Sequence, residues 1–506
     1  MPLEIGKLAC LRTLEFFNVG HENGRRIEEL GYLKNLKGEV AICKLEHVNG
    51  KEEAARACLT EKPNIHKLKL EWSSSRKGYN FNDEQVLEGL EPHPNIKSLK
   101  IQRFCGDNLP SWIMNRSISE VIRLDKLIEL QLIDCARCLE IPTLGHLPLL
   151  KFLELSGLRN VKSIGPWFYY PHNYGVNDQS RRRTNNQLAF PTLERFTLDF
   201  MTNLEEWIEM STNDSNQVVN AFPRLEYLRI YYCSNISRFP SHGFPCLKTL
   251  EINNVDRGGV LLDRISNNNS SSLTSLRLEN VSDVTCLPKR LLYDNQRIRS
   301  MSIWDCPNLT HIELSAHNLK SLEAIYIYYC KKLKSIRYLI QGEEESGSFN
   351  SLQTLTVVNC NEVSDILSPM VLEPCTSLRT LQLGDCHNLV SFPVDFRSLP
   401  SGLRSLGISE CPKLRSLPKG SISCLSSLTE LCIGPFSEEV GLASFNEILQ
   451  GIQQLHSLVN LELYGRSLSL YQITFSILLL SNILKYPILG WKLCLSGLGT
   501  WHLWTI

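Results

Sequence analysis

Cysteine and histidine are the side chains of this sequence that could bind a metal ion or carry redox chemistry. Cys386 and His387 are adjacent in "LQLGDCHNLVSFP", residues 381–393, and Cys135 and Cys138 are separated by two residues. A zinc site needs about four converging ligands, usually supplied by two closely spaced pairs. Neither pair has a convincing partner pair elsewhere, so the sequence predicts no metal and no cofactor. Whether the cysteine serves the fold depends on how often the phrase recurs.

The motifs that other chemistry requires are missing from the sequence. There is no Gly-x-Ser-x-Gly elbow, no His-Glu-x-x-His and no kinase motif set, so we expect no enzyme. No Gly-x-x-x-x-Gly-Lys-Ser/Thr occurs, so we also expect no nucleotide binding. Arg181–Arg183 could form a phosphate-binding or localisation patch, but a solvated cluster in a loop explains it more simply.

The phrase around Cys386 recurs along the chain as Leu-x-x-Leu-x-Leu-x-x-Cys. It is seen in "LRTLQLGDC" from Leu378, "LRSLGISEC" from Leu403 and "LEYLRIYYC" from Leu225. With the copies that lack the cysteine, the repeats are mostly 22–32 residues apart, with one 43-residue spacing after Leu150, which is the leucine-rich-repeat pattern. Seven cysteines occupy the same step of this repeat: Cys135, Cys233, Cys306, Cys330, Cys360, Cys386 and Cys411.

The repeat has a direct physical interpretation. Its last two leucines alternate with polar residues at the period of a β-strand, so both point to one side of the sheet. Stacked strands then predict an α/β leucine-rich-repeat solenoid. Its curved parallel sheet is expected on the concave side, with irregular, helical and loop segments on the convex side. The cysteine follows where the chain turns inward, and its small side chain can be buried against the turn's backbone. We therefore expect reduced, buried, structural thiols at all seven positions.

The repeats divide the chain into three predicted regions. Residues 1–125 hold N-terminal leucine-rich repeats with helical insertions, one capped at Asn49 and one at Asn82. Residues 126–466 form the regular Cys-type array, with a long loop at 165–190. The apolar tail, 467–506, has a different character.

The tail allows three interpretations. Residues 467–484 contain no charged side chain and reach the minimum length of a membrane span, although Asn482 and Pro487 weaken that interpretation. The tail could instead pack on the last coil, or it could be a non-native end produced by aberrant splicing or a gene-model error. A membrane contact is expected only if the tail is a genuine anchor.

Strand alternation also predicts which side chains face outward and could bind a partner. One coil presents Tyr227, Arg229 and Tyr231. Two later coils present Trp304, Tyr326 and Tyr328. Tyr, Trp and Arg dominate the energetics of protein interfaces, so these residues are candidate partner-binding positions. The alternative is aromatic packing across strands that only stiffens the sheet.

The composition limits the partners and the compartment. Lys+Arg and Asp+Glu number 53 each, so the overall charge does not favour nucleic acid. The chain has 18 cysteines, and its N-terminus lacks the continuous apolar stretch of a secretory leader. We therefore expect a protein of the cytoplasm or the nucleus, with protein partners.

Several stretches resemble a known family. "RIEELGYLKNLKGEVAICKLEHVNG", "IHKLKLEWS" and "VLEGLEPHPNIKSLKIQRFCGDNLPSWI" are similar to the leucine-rich-repeat region of plant coiled-coil-type nucleotide-binding leucine-rich-repeat (NLR) disease resistance proteins. The resemblance covers about residues 1–465. It implies a plant defence function in which the repeats bind pathogen effectors, guarded host proteins or the receptor's own nucleotide-binding module. The nucleotide-binding and coiled-coil modules of such receptors would precede Met1, so we expect a detached recognition domain. The alternative is a cytosolic leucine-rich-repeat scaffold or ubiquitin-ligase adaptor, for which no F-box-like helix is visible.

Overall fold

The computed structural model describes most of the chain. The described residues are 2–74, 82–114, 124–169, 189–208, 221–240, 243–267, 272–314, 320–338, 351–366, 375–392, 394–415, 418, 420–436, 447, 448, 450–463, 491–496 and 500–505. They fall into two compact units, Met1–Ser272 and Leu273–Ile506.

The first unit is built on a parallel sheet in which strands pair with their successors along the chain. Its strands are β1 (Phe16–Asn18), β2 (Gly38–Cys43), β3 (Ile65–Glu71), β4 (Ser98–Gln102), β5 (Glu129–Ile133), β6 (Phe152–Ser156), β8 (Arg195–Asp199), β10 (Tyr227–Tyr231) and β11 (Thr249–Asn253). Two short strands, β7 (Ser163–Ile164) and β9 (Glu206–Trp207), pair in parallel in a second sheet.

Alternation along each strand separates a buried row from an outward row. In β10, Leu228 and Ile230 are fully buried, while Tyr227, Arg229 and Tyr231 are half-buried. Leu228 pairs in register with a buried leucine of the next strand, Leu250, and with Phe196 of the preceding one. The repeating leucines therefore form continuous apolar rows, which is how short strands share a core that none could bury alone.

Short helices connect the strands near the N-terminus of the first unit. They are α1 (Glu29–Tyr32), α2 (Lys51–Ala55), α3 (Asp83–Gly89) and α4 (Ser111–Met114), with α5 (Gly258–Asn267) near the end of the unit; single 3-10 turns span Ile5–Lys7, Leu45–His47, Leu59–Glu61 and Pro166–Phe168. Asn82 is the N-cap residue of α3, as predicted.

The N-cap predicted for α2 was wrong. Gly50 holds that position, and Asn49 lies one residue earlier. The backbone N–H and the side-chain amide of Asn49 both donate to the Glu53 carboxylate, at 2.9 and 3.0 Å. Asn49 therefore does pair with a glutamate at the start of α2, but the glutamate is Glu53 and Asn49 lies one residue before the N-cap position. Helices α2 and α3 pack closely, because a Cβ on Gly89 would lie 2.4 Å from the Lys51 carbonyl oxygen.

A cluster of aromatic side chains fills the core of the first unit. Phe190, Phe222 and Phe244 each precede a proline, and all three are buried. The ring centroids of Phe190 and Phe222 lie 5.1 Å apart, and those of Phe222 and Phe244 lie 5.8 Å apart. The indole N–H of Trp207 donates to the Tyr169 hydroxyl at 2.9 Å, so this buried pair is satisfied. Tyr169 and Phe190 also show that both ends of the predicted 165–190 loop reach the core, while residues 170–188 lie outside the described residues.

The second unit repeats the same plan. Its parallel sheet contains β12 (Ser275–Glu279), β13 (Ser300–Trp304), β15 (Ala324–Tyr328), β17 (Thr354–Val358), β19 (Thr380–Gly384), β20 (Ser405–Cys411), β21 (Glu430–Phe436) and β22 (Asn460–Leu463). A smaller parallel sheet contains β14 (His311–Leu314), β16 (Ser335–Tyr338) and β18 (Asp365–Ile366). Helix α6 (Lys289–Asp294) and 3-10 turns at Phe396–Ser398 and Ile422–Cys424 connect the strands. The leucine-rich-repeat solenoid predicted from the sequence is thus the fold.

The end of the chain contains two further strands. β23 (Trp491–Ser496) and β24 (Thr500–Thr505) pair with each other in antiparallel fashion, and β24 also pairs antiparallel with β22. This arrangement agrees with a tail that packs on the last coil. The membrane-span candidate, residues 467–484, lies outside the described residues, so the three interpretations of the tail and the predicted three-region division stay predictions.

Candidate protein-recognition face

The seven cysteines of the repeat are buried where the fold requires them. Each has no accessible surface. The thiol of Cys386 donates to the carbonyl oxygen of Gly384, two residues earlier, at 3.5 Å, and Cys233 donates in the same way to Tyr231 at 3.3 Å. The equivalent contact is made by Cys135, Cys306, Cys330, Cys360 and Cys411. Each thiol thus bonds back to the carbonyl two residues earlier, which is compatible with a structural role, and that role stays a prediction.

His387 does not share the environment of Cys386. The Cys386 thiol points inward to backbone carbonyls, whereas His387 is about half exposed and its Nδ1 lies 3.2 Å from the Asp385 carboxylate. Cys135 and Cys138 do interact, since a hydrogen bond with Cys135 followed by burial raises the pKa of Cys138. Their thiols also contact separate backbone carbonyls, those of Ile133 and Gly106. Among the described residues, no group of three or more His, Cys, Asp or Glu side chains could hold a metal ion.

Burial should make the seven repeat cysteines unreactive in the native protein. Burial raises the pKa of Cys233 to about 12, and a hydrogen bond with Cys330 followed by burial raises the pKa of Cys306. The hydrogen bond that raises the pKa of Cys306 lowers the pKa of its partner Cys330, so the common feature of the seven repeat thiols is burial. Because a buried thiol is shielded from the reagent, we expect slow alkylation of these seven and fast alkylation of the exposed Cys10, Cys246 and Cys286. Peptide-level mass spectrometry after a short iodoacetamide pulse measures both groups, with denatured protein as the control. Equal native rates for the two groups would contradict the assignment.

The first candidate patch, Tyr227, Arg229 and Tyr231 of β10, is held together by stacked cations. The Arg229 guanidinium carbon lies 3.8 Å from the Tyr231 ring centroid, and that of Arg195 on β8 lies 4.8 Å from the Tyr227 ring centroid. The Tyr231 hydroxyl donates to the Glu251 carboxylate at 3.0 Å. All three patch residues stay half-buried on the outward side of the sheet. The rotamers of the patch are therefore fixed before any partner arrives, which lowers the entropy cost of binding.

Carboxylates on the neighbouring strands face this patch. Asp199 of β8 and Glu154 of β6 are half-buried, and burial raises the pKa of each carboxyl above its ordinary value. Within the described structure, Asp199 Oδ1 and Arg229 Nε are shielded from water without a hydrogen-bond partner. Arg229 is close enough to lower the pKa of Asp199, although burial raises it more. Such a surface is incompletely satisfied as it stands.

Asp199→Asn should stabilise the protein at neutral pH. Since the pKa of Asp199 is raised in the folded state, the folded chain binds the proton more tightly than the unfolded chain does. The ionised carboxylate therefore costs stability above its folded pKa, and this cost disappears as the pH falls below the ordinary aspartate value. Arg229 on β10 reduces the cost and Glu154 on β6 faces the same carboxyl. Thermal unfolding of both proteins should show a higher midpoint for the variant at pH 7 and converging midpoints at acidic pH. A difference that grows on acidification would contradict the prediction.

The second candidate patch, Trp304 of β13 with Tyr326 and Tyr328 of β15, belongs to the second unit. Trp304 and Tyr328 are partners in register, and their ring centroids lie 4.2 Å apart at 31°. The Trp304 indole N–H donates to the Ser302 hydroxyl at 2.8 Å. All three aromatics are half-buried and alternate with the buried Ile303, Ile325 and Ile327. The cross-strand contact stiffens the sheet, and it also leaves part of each ring accessible to a partner.

Beyond the second patch, two of the outward positions have no side chain. The corresponding positions hold Gly384 in β19 and Gly407 in β20. A Cβ on Gly407 would lie 1.7 Å from Gln382 Oε1, so the glycine is what allows the Gln382 side chain to cross the sheet and bond Ser405. The aromatic patch is therefore bounded on this side by a flat, polar surface.

Comparison with known proteins agrees with these features. The family model described as "R13L1/DRL21 LRRs" matches residues 27–158. "Putative disease resistance protein RGA4" of Solanum bulbocastanum is 35% identical over 296 residues, which are 57% of this chain and 26% of that protein. "Putative disease resistance RPP13-like protein 1" of Arabidopsis thaliana is 29% identical over 356 residues, which are 68% of this chain and 31% of that protein. Residues 27–158 thus match a leucine-rich-repeat family, and the chain is similar to plant disease resistance proteins.

The coverage of these relatives is partial. This chain spans about a quarter to a third of the length of these two curated relatives. Among solved structures, the Toll–Spatzle complex of Drosophila aligns with 89% of this chain and 55% of that chain, at 15% identity and a TM-score of 0.44. The activity and partners of a complete receptor are therefore matters for proposal.

Proposed function

We propose that this chain is a protein-recognition domain in plant innate immunity and that it has no catalytic activity of its own. Its partner is a pathogen effector, a guarded host protein or the nucleotide-binding module of the receptor to which it belongs. The chain itself binds no nucleotide, and it acts in the cytoplasm or the nucleus.

The observation that carries this proposal is the pre-arranged aromatic and cationic surface on a frame of buried leucines. Tyr227, Arg229 and Tyr231 are fixed by stacking and by the hydrogen bond to Glu251, yet none of them is needed to fill the core. Residue types that dominate binding energetics are thus displayed on a rigid sheet, with their side chains already ordered. Rigid elements with ordered side chains suit recognition rather than turnover.

The relatives support the biological setting. The curated relatives are named as disease resistance proteins, and the matched family model covers the stretches near the N-terminus that resemble NLR repeats. Within the part of the chain that the structure describes, no helix is long and apolar enough to cross a membrane.

Co-precipitation in plant leaves tests the proposal with defined probes. The tagged chain would be co-expressed with the portion of the RGA4 relative outside the aligned repeats, and separately with single secreted effector candidates. We expect at least one probe to bind. Arg229→Ala and Tyr231→Ala should weaken that binding by about tenfold or more, as expected for hot-spot residues.

Thr249→Ala provides the matched control, because Thr249 is a half-buried outward residue of the adjacent strand β11. It should bind like the wild type. The proposal fails if no probe is retained above an empty tag. It also fails if the binding of a retained probe is unchanged by every variant of the two patches.

A further inference from the structure

In the main parallel sheet of each unit, a residue with a left-handed backbone conformation recurs at the ends of the strands, and we call this position the ladder position. The residue just after many of these strands has a positive φ, such as 50° at Phe200, 51° at Tyr232 and 58° at Tyr329. Its backbone N–H donates to the last carbonyl of the next strand, from Phe200 to Tyr231 at 3.0 Å and from Tyr232 to Asn253 at 2.8 Å. The conformation is therefore fixed by the coil-to-coil hydrogen bond, whatever side chain is present.

The side chains at this position fall into three groups, one of which has long charged side chains: Lys44, Arg103 and Glu410. Most coils carry residues that tolerate the left-handed region: Asp134, Gly157, Asn254, Asn280, Asp305, Asn359 and Asp385. Phe200, Tyr232 and Tyr329 are aromatic, and bulky residues are disfavoured there. The coil-to-coil hydrogen bond does not require an aromatic ring at these three places, because other coils make the same bond with Asn or Asp, such as Asn359 to Gly384 at 2.9 Å.

The aromatic rings at the ladder are exposed and lie beside the candidate patches. Phe200 is 44% exposed and Tyr232 is 39% exposed, and their rings stack at 4.5 Å with an angle of 6° between their planes. Tyr232 directly follows Tyr231 of the first patch, and Phe200 directly follows Asp199. Tyr329 follows Tyr328 of the second patch in the same manner and is 46% exposed. Strain and exposed apolar area therefore coincide next to an ordered polar surface.

The charges around Phe200 and Tyr232 indicate what kind of group fits there. Both guanidinium groups nearby, Arg195 and Arg229, already lie over tyrosine rings. Asp199 is half-buried, and its Oδ1 has no hydrogen-bond partner in the described structure. Burial raises the pKa of its carboxyl, and Arg229 and a backbone hydrogen bond from Phe200 offset only part of that rise. A cation supplied from outside would offset that desolvation and could also contact the exposed rings.

We propose that Phe200 and Tyr232 form a docking ridge for a protein segment that presents an arginine or lysine beside an apolar side chain. The partner's apolar side chain packs on the stacked rings, and its cation pairs with Asp199. This inference rests on the proposed recognition function and specifies the chemistry of the partner at the first patch.

The test selects random peptides from a display library on the immobilised full chain and then measures the affinity of resynthesised peptides by fluorescence anisotropy. The selected peptides should carry Arg or Lys next to an apolar residue. Phe200→Asn with Tyr232→Asn should weaken their binding by about tenfold or more. Asp199→Asn should weaken them too, and that effect should vanish for a peptide whose cation has been replaced by leucine.

The unfolding midpoint separates binding from packing. Asparagine tolerates the left-handed region, so the relief of strain should offset the lost stacking, and the midpoint should stay within a few degrees of the wild type. Glu410→Asn is the matched control, because Glu410 is an exposed ladder residue at φ 53° in the second unit. It should leave peptide affinity unchanged.

The ridge proposal fails if the selected peptides are acidic or if no peptide is selected. It fails if the double variant binds the peptides within about twofold of the wild-type affinity. It also fails if the double variant unfolds many degrees below the wild type. If peptide affinity falls in Arg229→Ala or Tyr231→Ala but not in the ridge variants, the ridge proposal is refuted and the proposed recognition function still holds. If no variant of either patch affects a bound peptide, both ideas fail.

Discussion

Replacing Leu381 by alanine is expected to lower the free energy of unfolding by about 2–5 kcal/mol. Leu381 is completely buried in β19, where it stands in register between Leu355 of β17 and Leu406 of β20. The substitution removes apolar contact on both sides and leaves a cavity that a stacked array cannot easily close. Chemical denaturation measures the loss. Hydrogen exchange should locate it in β17, β19 and β20, because each coil contacts mainly its neighbours.

Gln382→Ala is the control for this prediction. Gln382 follows Leu381 in the same strand but faces outward, and its amide donates to the buried Ser405 hydroxyl. The variant leaves that hydroxyl its own hydrogen bond to Glu430. We expect a change below about 1 kcal/mol. If both variants lost the same stability, the division of β19 into a core row and an outward row would be wrong.

Phe222→Ala should destabilise the first unit by about 3–5 kcal/mol. The Phe222 ring is fully buried between Phe190 and Phe244, and Trp207 contacts it at a centroid distance of 5.9 Å. Its loss opens the centre of an aromatic cluster in which several partners lose contacts at once. Chemical denaturation followed by tryptophan fluorescence suits this variant, since the buried Trp207 indole is next to the site.

Phe152→Ala is the matched substitution on the other side of the sheet. Phe152 begins β6 and is 37% exposed, so the same chemical change there should cost less than about 1 kcal/mol. A Phe222→Ala variant as stable as the Phe152→Ala variant would show that the aromatic cluster is not a core.

The repeats made the strands predictable from the sequence. In each Leu-x-Leu pair, the alternation indicates which side chains face the core. Because the pair recurs, the ambiguity that a single short apolar run would leave is removed. The pattern predicts Leu381 and Leu383 in the core for this reason, and both are buried. The same recurrence identified the cysteine step, because Cys386 shares its position with six other cysteines while His387 does not recur.

Other features depend on contacts that the repeat does not encode. The aromatic cluster joins Tyr169 and Trp207, which lie outside the leucine phrase and meet only when coils stack. Asp305 and Asn359, which precede the repeat cysteines, are residue types that favour the left-handed conformation, so part of the ladder was predictable. Tyr232 and Tyr329 occupy the same position but do not favour that conformation, so the pattern was not evident from the sequence. The α2 cap moved to Gly50 because a glycine and an asparagine are adjacent there, and both residue types favour the position. The stacking of Arg229 on Tyr231 is a choice of rotamer, which sequence patterns do not specify.

The central claim is that the leucines hold the fold and the outward aromatics bind a partner. It is tested most directly by measuring thermal unfolding and partner capture on the same purified samples of wild type, Trp304→Ala, Tyr326→Ala and Leu381→Ala. We expect both aromatic variants to unfold within about 1 kcal/mol of the wild type while losing capture of a probe that the wild type binds, and Leu381→Ala to lose stability. Aromatic variants that unfold as readily as Leu381→Ala would contradict the claim, because the aromatic patch would then be part of the packing.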